Sequence, residues 1–177
     1  MAHAFIFRPL RREEIPAMQA IIHQRIAWMD AVGIRQWNVT DYDGVYPPEY
    51  YLSCWEKGEL FALTDGREET IVCVGCLKAQ DARWPDGQTA SALYLHHLAA
   101  DLSCPGAGRR FLSAAEEHAA RTGHAFLRLD SATDNPALAA YYTSQGYTPA
   151  GECVDGLYQG VLRQKRLPPC LPEEPNP

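Results

Sequence analysis

The sequence predicts a mixed α/β fold in which about four helices cover both faces of a mostly antiparallel sheet of about seven strands. Three observations support this fold class. Strand-like and helix-like apolar patterns are interspersed along the chain. Three strand-like segments follow one another in the middle, separated by turn signals. A last pair of strand-like segments closes the pattern as a hairpin.

The first elements are a strand, "FIFRPL", and a long amphipathic helix. In "EEIPAMQAIIHQRIAWMDAVG", apolar residues recur close to every 3.6 residues, and Gly33 suits the left-handed residue that ends a helix. A loop rich in Gly, Pro, Asp and aromatic residues follows. Pro47 and Pro48 then open a short helix that ends at about Lys57.

The middle of the chain predicts an antiparallel meander. Its strands are "ELFALT", "TIVCVGCLKA" and "SALYLHHLAA". Asp65-Gly66 lies in the first gap and Pro85-Asp86-Gly87 in the second, both of them turn-forming combinations.

The second half predicts two helices, each followed by strands. One helix runs from about Gly108 to Arg121, and "AFLRLD" is the next strand. The second helix starts at Asp134-Asn135-Pro136, where a side-chain cap precedes a proline. The final hairpin leads into a Pro-rich tail, 168–177, which we expect to be disordered, so residues 1–167 are predicted to form one domain.

Composition excludes several function classes. A net charge of −6 and a pI near 5.5 argue against a nucleic-acid or anionic-membrane partner, which would need a basic face. No apolar run approaches the length of about 18 residues that a membrane span needs. The start of the sequence has no signal-peptide core, so we expect a cytoplasmic protein whose six cysteines are reduced.

The segment "CVGC", from Cys73 to Cys76, has the spacing of a metal or redox motif. It has no second CxxC or CxxH at zinc-finger distance, and it lies within a strand-like run rather than at the start of a helix. Packing of small apolar thiols is the favoured interpretation, with metal or redox chemistry as the alternative. No metal site is predicted.

The most informative segment is the turn "PGAG", which joins the strand "YLHHLAA" to a helix. A helix N-terminus offers unpaired N–H donors and a partial positive charge, so it suits an anion. Gly106 and Gly108 let the backbone approach that anion, and Arg109 and Arg110 can add charge-assisted hydrogen bonds. A plain helix-starting turn is the alternative. A dinucleotide fold is disfavoured because no G-x-G-x-x-G occurs.

These segments resemble the GNAT superfamily of acyl-CoA-dependent N-acetyltransferases, over most of the chain from Phe5 to Arg166. The family's loop, Arg/Gln-x-x-Gly-x-Gly/Ala, aligns with the segment from Ser103 to Gly108, with a serine where the family has Arg or Gln. A second family signature, an asparagine followed seven residues later by a tyrosine and then by Gly-Phe/Tyr, matches Asn135, Tyr142 and "GY" at 146–147.

The resemblance implies acetyl-CoA as the cofactor and direct acetyl transfer to a primary amine, with no covalent enzyme intermediate. Tyr142 then acts as general acid towards the departing thiolate and also contacts the cofactor, and Asn135 lies near the pantetheine arm. The backbone of Leu98, Ala99 and Ala100 pairs with that arm and polarises the thioester carbonyl. The diphosphate lies on the loop residues Ser103, Gly106, Ala107, Gly108, Arg109 and Arg110.

The general base is sought on the strand before the loop. A strict period of two puts Tyr94, His96, Leu98 and Ala100 on one face. Some family members hold a catalytic carboxylate on that face, where this chain has none. His96 is the nearest titratable group and is predicted to be a base or the anchor of a water relay. A hydrogen-bonded interior histidine and a water chain to solvent are the alternatives.

The acceptor is expected to bind near the loop after the first helix, at Ile34, Trp37, Asp41 and Tyr42. An acidic and aromatic wall suits a cationic amine, either a small molecule or a peptide. The alternative function is a catalytically silent acyl-CoA-binding or protein-interaction domain, because Ser103 departs from the family's loop. Analogy also allows a homodimer through the last hairpin.

Overall fold

The computed structural model describes residues 4–66 and 69–169, which form seven strands and five α-helices. The strands are β1 (Phe5–Pro9), β2 (Leu60–Asp65), β3 (Ile71–Lys78), β4 (Ala92–Ala100), β5 (Phe126–Ala132), β6 (Thr148–Asp155) and β7 (Tyr158–Arg166). The helices are α1 (Ile15–Val32), α2 (Tyr42–Val45), α3 (Pro48–Glu56), α4 (Ala107–Arg121) and α5 (Pro136–Ser144). Of the predicted disordered tail, residues 170–177 lie outside the described residues.

The strands form a single sheet in the order β1-β2-β3-β4-β5-β7-β6. Every neighbouring pair is antiparallel except β4 and β5, which are parallel. The meander of β2, β3 and β4 and the closing hairpin of β6 and β7 confirm the predicted mixed, mostly antiparallel sheet.

Local signals set the helix ends where the sequence predicts them. Gly33 follows α1 with φ of +74°, a left-handed conformation that glycine adopts without a steric penalty. Pro48 opens α3, and α4 begins at Ala107, one residue before the predicted start. Asn135 caps α5, because its Oδ1 accepts a hydrogen bond from the Leu138 amide at 3.0 Å.

The helices bury the two faces of the sheet in separate apolar clusters. On one face, Phe111 and Leu112 of α4 pack with Tyr142 of α5 against β2–β5. On the other face, Met18 and Ile22 of α1 pack with α3 against β2, β3 and the end of β4. Among the described residues, no helix has both the length and the apolar character of a membrane span.

Strands β4 and β5 are joined along only part of their length. Ala92–Tyr94 pairs with 126–128, and beyond these three pairs the strands have no ladder in common. Arg128 stabilises the paired end of the two strands. Its guanidinium donates to Asp86 at 2.8 and 3.1 Å and lies 4.3 Å from the Trp84 ring centre. The sheet is therefore open between the carboxyl halves of β4 and β5.

A β-bulge in β4 overturns the strict alternation that the sequence predicts. His97 has φ of +55°, and three steps along β4, from His96 to Ala99, oppose two along β3, from Cys76 to Val74. His96, His97 and Ala99 consequently lie on the α1 side of the sheet, whereas Leu98 lies on the α4 side. The predicted face shared by His96 and Leu98 is wrong because the extra residue at the bulge resets the alternation.

The two cysteines of "CVGC" lie on opposite faces of β3. Cys73 packs in the α4 cluster and Cys76 in the α1 cluster, both with no exposed surface. Cys76 instead lies beside Cys54 and Glu59, with donor atoms within 4.8 Å of one another. The two thiols of the motif therefore do not share a site. This arrangement agrees with the interpretation that they pack as small apolar side chains.

Candidate active site

The opening between β4 and β5 forms a cleft of about 640 Å³. Its walls are the diverging strand ends, α5, the loop after α1 and the tip of the β6–β7 hairpin. A second cavity of about 350 Å³ lies against the segment 100–109 and shares five lining residues with the first, Arg25, Trp28, Ala100, Gly108 and Tyr141. A path thus leads from the predicted phosphate loop to the interior of the sheet.

The start of α4 presents backbone donors to the second cavity. Gly106 has φ of +84°, and the amide of Ala107 bonds to the carbonyl of Cys104 at 3.2 Å. The amides of Gly106, Gly108 and Arg109 donate to no other described residue. These N–H groups at a helix N-terminus are suited to an anion.

The side chains of the loop differ in what they offer. Ser103 is bound to its own loop, since its Oγ and its amide donate to Asp101 Oδ1 at 2.6 and 2.7 Å. Arg109 lines the second cavity. Arg110 lines neither cavity, because its guanidinium lies 4.6 Å from the ring centre of Phe5. Ala107 has a fully buried side chain, so only its backbone belongs to the loop surface.

Tyr142 reaches the cleft from α5. It is 7% exposed, its hydroxyl bonds to no other described residue, and burial raises the pKa of that hydroxyl. A phenol kept protonated in this way can donate to a group in the cleft. Asn135 lies on the same wall, and the neighbouring Tyr141 lines both cavities.

The β4 segment predicted to pair with a pantetheine arm is only partly accessible. Leu98 and Ala100 line the cleft, whereas Ala99 is buried in the α1 cluster. The carbonyl of Ala100 accepts a hydrogen bond from Arg25 Nε at 2.5 Å.

His96 lies in the cleft between charged neighbours. Its Nδ1 accepts from Arg83 Nη2 at 2.9 Å, which puts the ring proton on Nε2. That Nε2 is 3.2 Å from Asp81 Oδ2 but outside the angle of a hydrogen bond, so it has no bonded partner among the described residues. Burial would raise the pKa of Asp81, but the nearby His96 and Arg83 outweigh burial and hold it well below its usual value.

His97 is the centre of a buried aromatic cluster. Its Nδ1 lies 2.6 Å from the hydroxyl of Tyr42, and its Nε2 lies 3.0 Å from the hydroxyl of Tyr50. The Tyr42 hydroxyl in turn lies 3.0 Å from that of Tyr51. Burial, aided by the charges of Lys78 and Arg83, holds the pKa of His97 well below its usual value, so the imidazole is neutral.

The predicted acceptor residues all line the cleft, in different environments. Trp37 is half-buried, with its ring 5.5 Å from that of Tyr42. Asp41 is exposed and caps α2 through a hydrogen bond from the Gly44 amide. Tyr42 is only 5% exposed and belongs mainly to the His97 cluster. Ile34 lies on the same wall.

Sequence reasoning missed several polar residues of the cleft. Asp130, in the second half of β5, binds Arg83 at 2.9 Å and accepts from the Tyr158 hydroxyl at 2.6 Å. A carboxylate that ends an apolar strand was the available signal for Asp130. Nothing in the sequence singled out Arg25, because an arginine on the polar face of an amphipathic helix is ordinarily a solvent-exposed residue.

Comparisons with known proteins identify the fold. No family model matches the sequence, and no curated protein matches it significantly. A GNAT-family acetyltransferase from Listeria monocytogenes matches with a TM-score of 0.75 at 18% identity, covering 94% of this chain and 99% of that one. PaiA N-acetyltransferase from Thermoplasma acidophilum, solved with coenzyme A, matches at 0.69 and 17%, covering 92% and 99%.

A third solved structure extends the likeness to enzymes that act on proteins. The ribosomal-protein-S18-alanine N-acetyltransferase of Escherichia coli matches with a TM-score of 0.65 at 16% identity, covering 98% of this chain and 100% of that one. Together with the strand order and the open β4–β5 cleft, these matches establish that the chain has the fold of the GNAT family of acetyltransferases.

Proposed function

We propose that the protein is an N-acetyltransferase that uses acetyl-CoA and transfers the acetyl group directly to a primary amine of a small molecule or peptide. The observation that carries this proposal is a pair of adjoining cavities that extends from the amides of Gly108 and Arg109, along the open edge of β4, to the hydroxyl of Tyr142, all of them groups without a hydrogen-bond acceptor among the described residues.

The residues present fit acetyl-CoA. The amides at the start of α4 would hold the diphosphate, with Arg109 adding positive charge. The open edge at Leu98 and Ala100, with Asn135 opposite, would hold the pantetheine arm. When bound, acetyl-CoA supplies an activated acetyl group as a thioester.

The chain's own groups serve the proton transfers of the reaction. As the amine nitrogen bonds to the acetyl carbon and the carbon–sulfur bond breaks, Tyr142 donates a proton to the departing sulfur. Asp130 is paired with Arg83, so the carboxylates of Asp41 and Asp155 at the rim are the groups that would favour a cationic amine. The His96 ring is held between Arg83 and Asp81 with its Nε2 buried, so in this proposal the amine's proton passes to water in the cleft and from there to solvent.

A thiol-release assay with acetyl-CoA and a broad amine panel tests the function. We expect release of CoA with at least one amine, and a higher melting temperature with acetyl-CoA, because a ligand at 100 times its Kd adds about 2.7 kcal/mol to stability. No thermal shift at millimolar acetyl-CoA contradicts the proposal. Binding without release by any amine supports the alternative, a silent acyl-CoA-binding domain.

A further inference from the structure

The phosphate loop lacks the polar side chain that its pattern calls for. Ser103 stands at the Arg/Gln position, and both its Oγ and its amide are bound to Asp101. Ser103 is also absent from the lining of the second cavity. Among the loop residues, only Arg109 brings a positive side chain to that cavity.

A positive side chain reaches the same place from a different element. Arg25 of α1 is half-buried and lines both cavities, together with Gly108 and Ala100. Its Nε is fixed on the carbonyl of Ala100, and the guanidinium lies 5.2 Å from the ring centre of Trp28, which lines the cavities as well.

Arg25 forms no ion pair among the described residues, although the charge of Asp101, which also lines the second cavity, acts on it at longer range. Among the described residues, no carboxylate lies within 4.0 Å of its guanidinium, and the hydrogen bond to Ala100 uses one of five N–H donors. Partial burial of this guanidinium is costly, and Asp101 offsets that cost only from beyond ion-pair distance, so an anion directly beside Arg25 would lower it further. The free amides of Gly108 and Arg109 line the same cavity and suit the same anion.

We propose that Arg25 binds the diphosphate of coenzyme A in place of the missing side chain at position 103, and that Trp28 forms a wall of the same nucleotide subsite. The inference rests on the proposed function, since it assigns a residue to the cofactor of that reaction. Helix α1 thereby closes the nucleotide subsite from the side opposite α4.

The test compares Arg25→Gln with Arg121→Gln, a control at the exposed far end of α4. Calorimetry measures the Kd of CoA, and NMR titration measures that of S-acetylpantetheine, which lacks the diphosphate. We expect Arg25→Gln to raise the Kd of CoA about 10- to 100-fold, because that is the typical effect of losing a charge-assisted hydrogen bond. The Kd of S-acetylpantetheine should be unchanged. Arg121→Gln should alter neither.

The outcomes separate the two proposals. If the wild-type chain does not bind CoA, the proposed function fails and this inference fails with it. If the wild type binds CoA and Arg25→Gln binds it equally well, or loses both ligands alike, only the role of Arg25 is overturned. Melting temperatures establish that each variant is folded.

A second variant tests whether an arginine at position 103 can compensate for the loss of Arg25. Ser103→Arg restores the side chain typical of the loop, so we expect it to recover most of the lost CoA affinity in the Arg25→Gln background. No recovery would overturn the claim that Arg25 takes the place of residue 103. Ser103→Arg alone is the matched control for effects of the new arginine on the loop.

Discussion

At the scale of single residues, the proposal depends on the hydroxyl of Tyr142, which bonds to no other residue in the described part of the chain. Removing it in Tyr142→Phe keeps the packed ring but deletes the proton donor, so we expect kcat to fall by at least about 100-fold, as for the loss of a general acid. The Kd of CoA, measured by calorimetry, should be largely unchanged, because the hydroxyl bonds to no described residue that shapes the cleft.

Tyr141 provides the matched control for that variant. It is the neighbouring tyrosine, with its ring 5.3 Å from that of Tyr142, and it also lines the cleft. Tyr141→Phe should retain most of kcat. Equal losses in both variants would assign the effect to packing of α5 rather than to proton transfer.

His97 makes stability depend on pH. The folded chain keeps its imidazole neutral, whereas the unfolded chain binds a proton near pH 6.5, so acid favours unfolding. The contribution is fully present above about pH 6.5, and below it the free energy of unfolding should fall by up to about 1.4 kcal/mol per pH unit. Urea denaturation at pH 7 and pH 5 measures this change.

His97→Gln keeps a polar side chain but removes the titration, so its stability should change less between pH 7 and pH 5 than that of the wild type. His124→Gln, in the turn after α4, is the matched control, because it removes a histidine that lies outside the His97 cluster. If His97→Gln and the wild type lose stability in parallel, the acid sensitivity arises elsewhere.

At the scale of elements, two glycines where α4 meets the sheet should respond differently to replacement by alanine. Gly75→Ala should destabilise the fold, whereas Gly108→Ala should weaken CoA binding and leave the fold intact. A Cβ on Gly75 of β3 would lie 2.8 Å from the ring of Phe111, which is fully buried and cannot move aside. We expect Gly75→Ala to lower the free energy of unfolding by about 1–3 kcal/mol, as overpacked cores do.

Gly108 is the contrasting position. A Cβ there would meet only the Cβ of Ala100, at 3.8 Å, so alanine should leave the fold intact. The added methyl group would lie at a residue that lines both cavities, so Gly108→Ala should weaken CoA binding. Urea denaturation and calorimetry on both variants check the pair. A destabilised Gly108→Ala with unchanged CoA affinity would contradict this assignment.

Local signals explain why most elements could be predicted from the sequence. These signals are the apolar periodicity, the left-handed glycine after α1 and the cap at Asn135. Each acts over a few residues, so it can be recognised in the sequence without knowledge of tertiary contacts. The β4 bulge is different. His97 adopts a positive φ that histidine disfavours, and it does so within contacts to Tyr42 and Tyr50, which are about 50 residues away in the chain.

The candidate site likewise contains residues that local sequence motifs predict and residues that only tertiary contacts bring together. The positions of Tyr142, Asn135 and the loop glycines along the cavities could be predicted because their motifs are continuous in sequence, and their roles stay predictions. The neighbours of His96 were not predictable, since Arg83 and Asp130 come from separate segments that meet only in the folded sheet. The role of Arg25 likewise depends on α1 crossing the end of β4.

At the scale of the whole molecule, the sheet consists of two parts, β1–β4 and β5–β7, whose strands share three residue pairs. Helix α4 packs against β2, β3, β4 and β5 and so bridges the two parts from one face. The other face is open at the cleft. A cofactor bound along β4 would add contacts where the strands have none.

This architecture predicts where acetyl-CoA changes hydrogen exchange. At 100 times its Kd the ligand adds about 2.7 kcal/mol, so amides that exchange through opening of the cleft should slow by up to about 100-fold. We expect the slowing at 98–100, at Gly108 and Arg109, and at the end of β5, measured by mass spectrometry of peptides. Strand β6, at the far edge, should slow less because it contacts only β7 in the sheet. Equal slowing in β1, β6 and the cleft would instead mean that the sheet opens as one unit, and the two-part description would then be wrong.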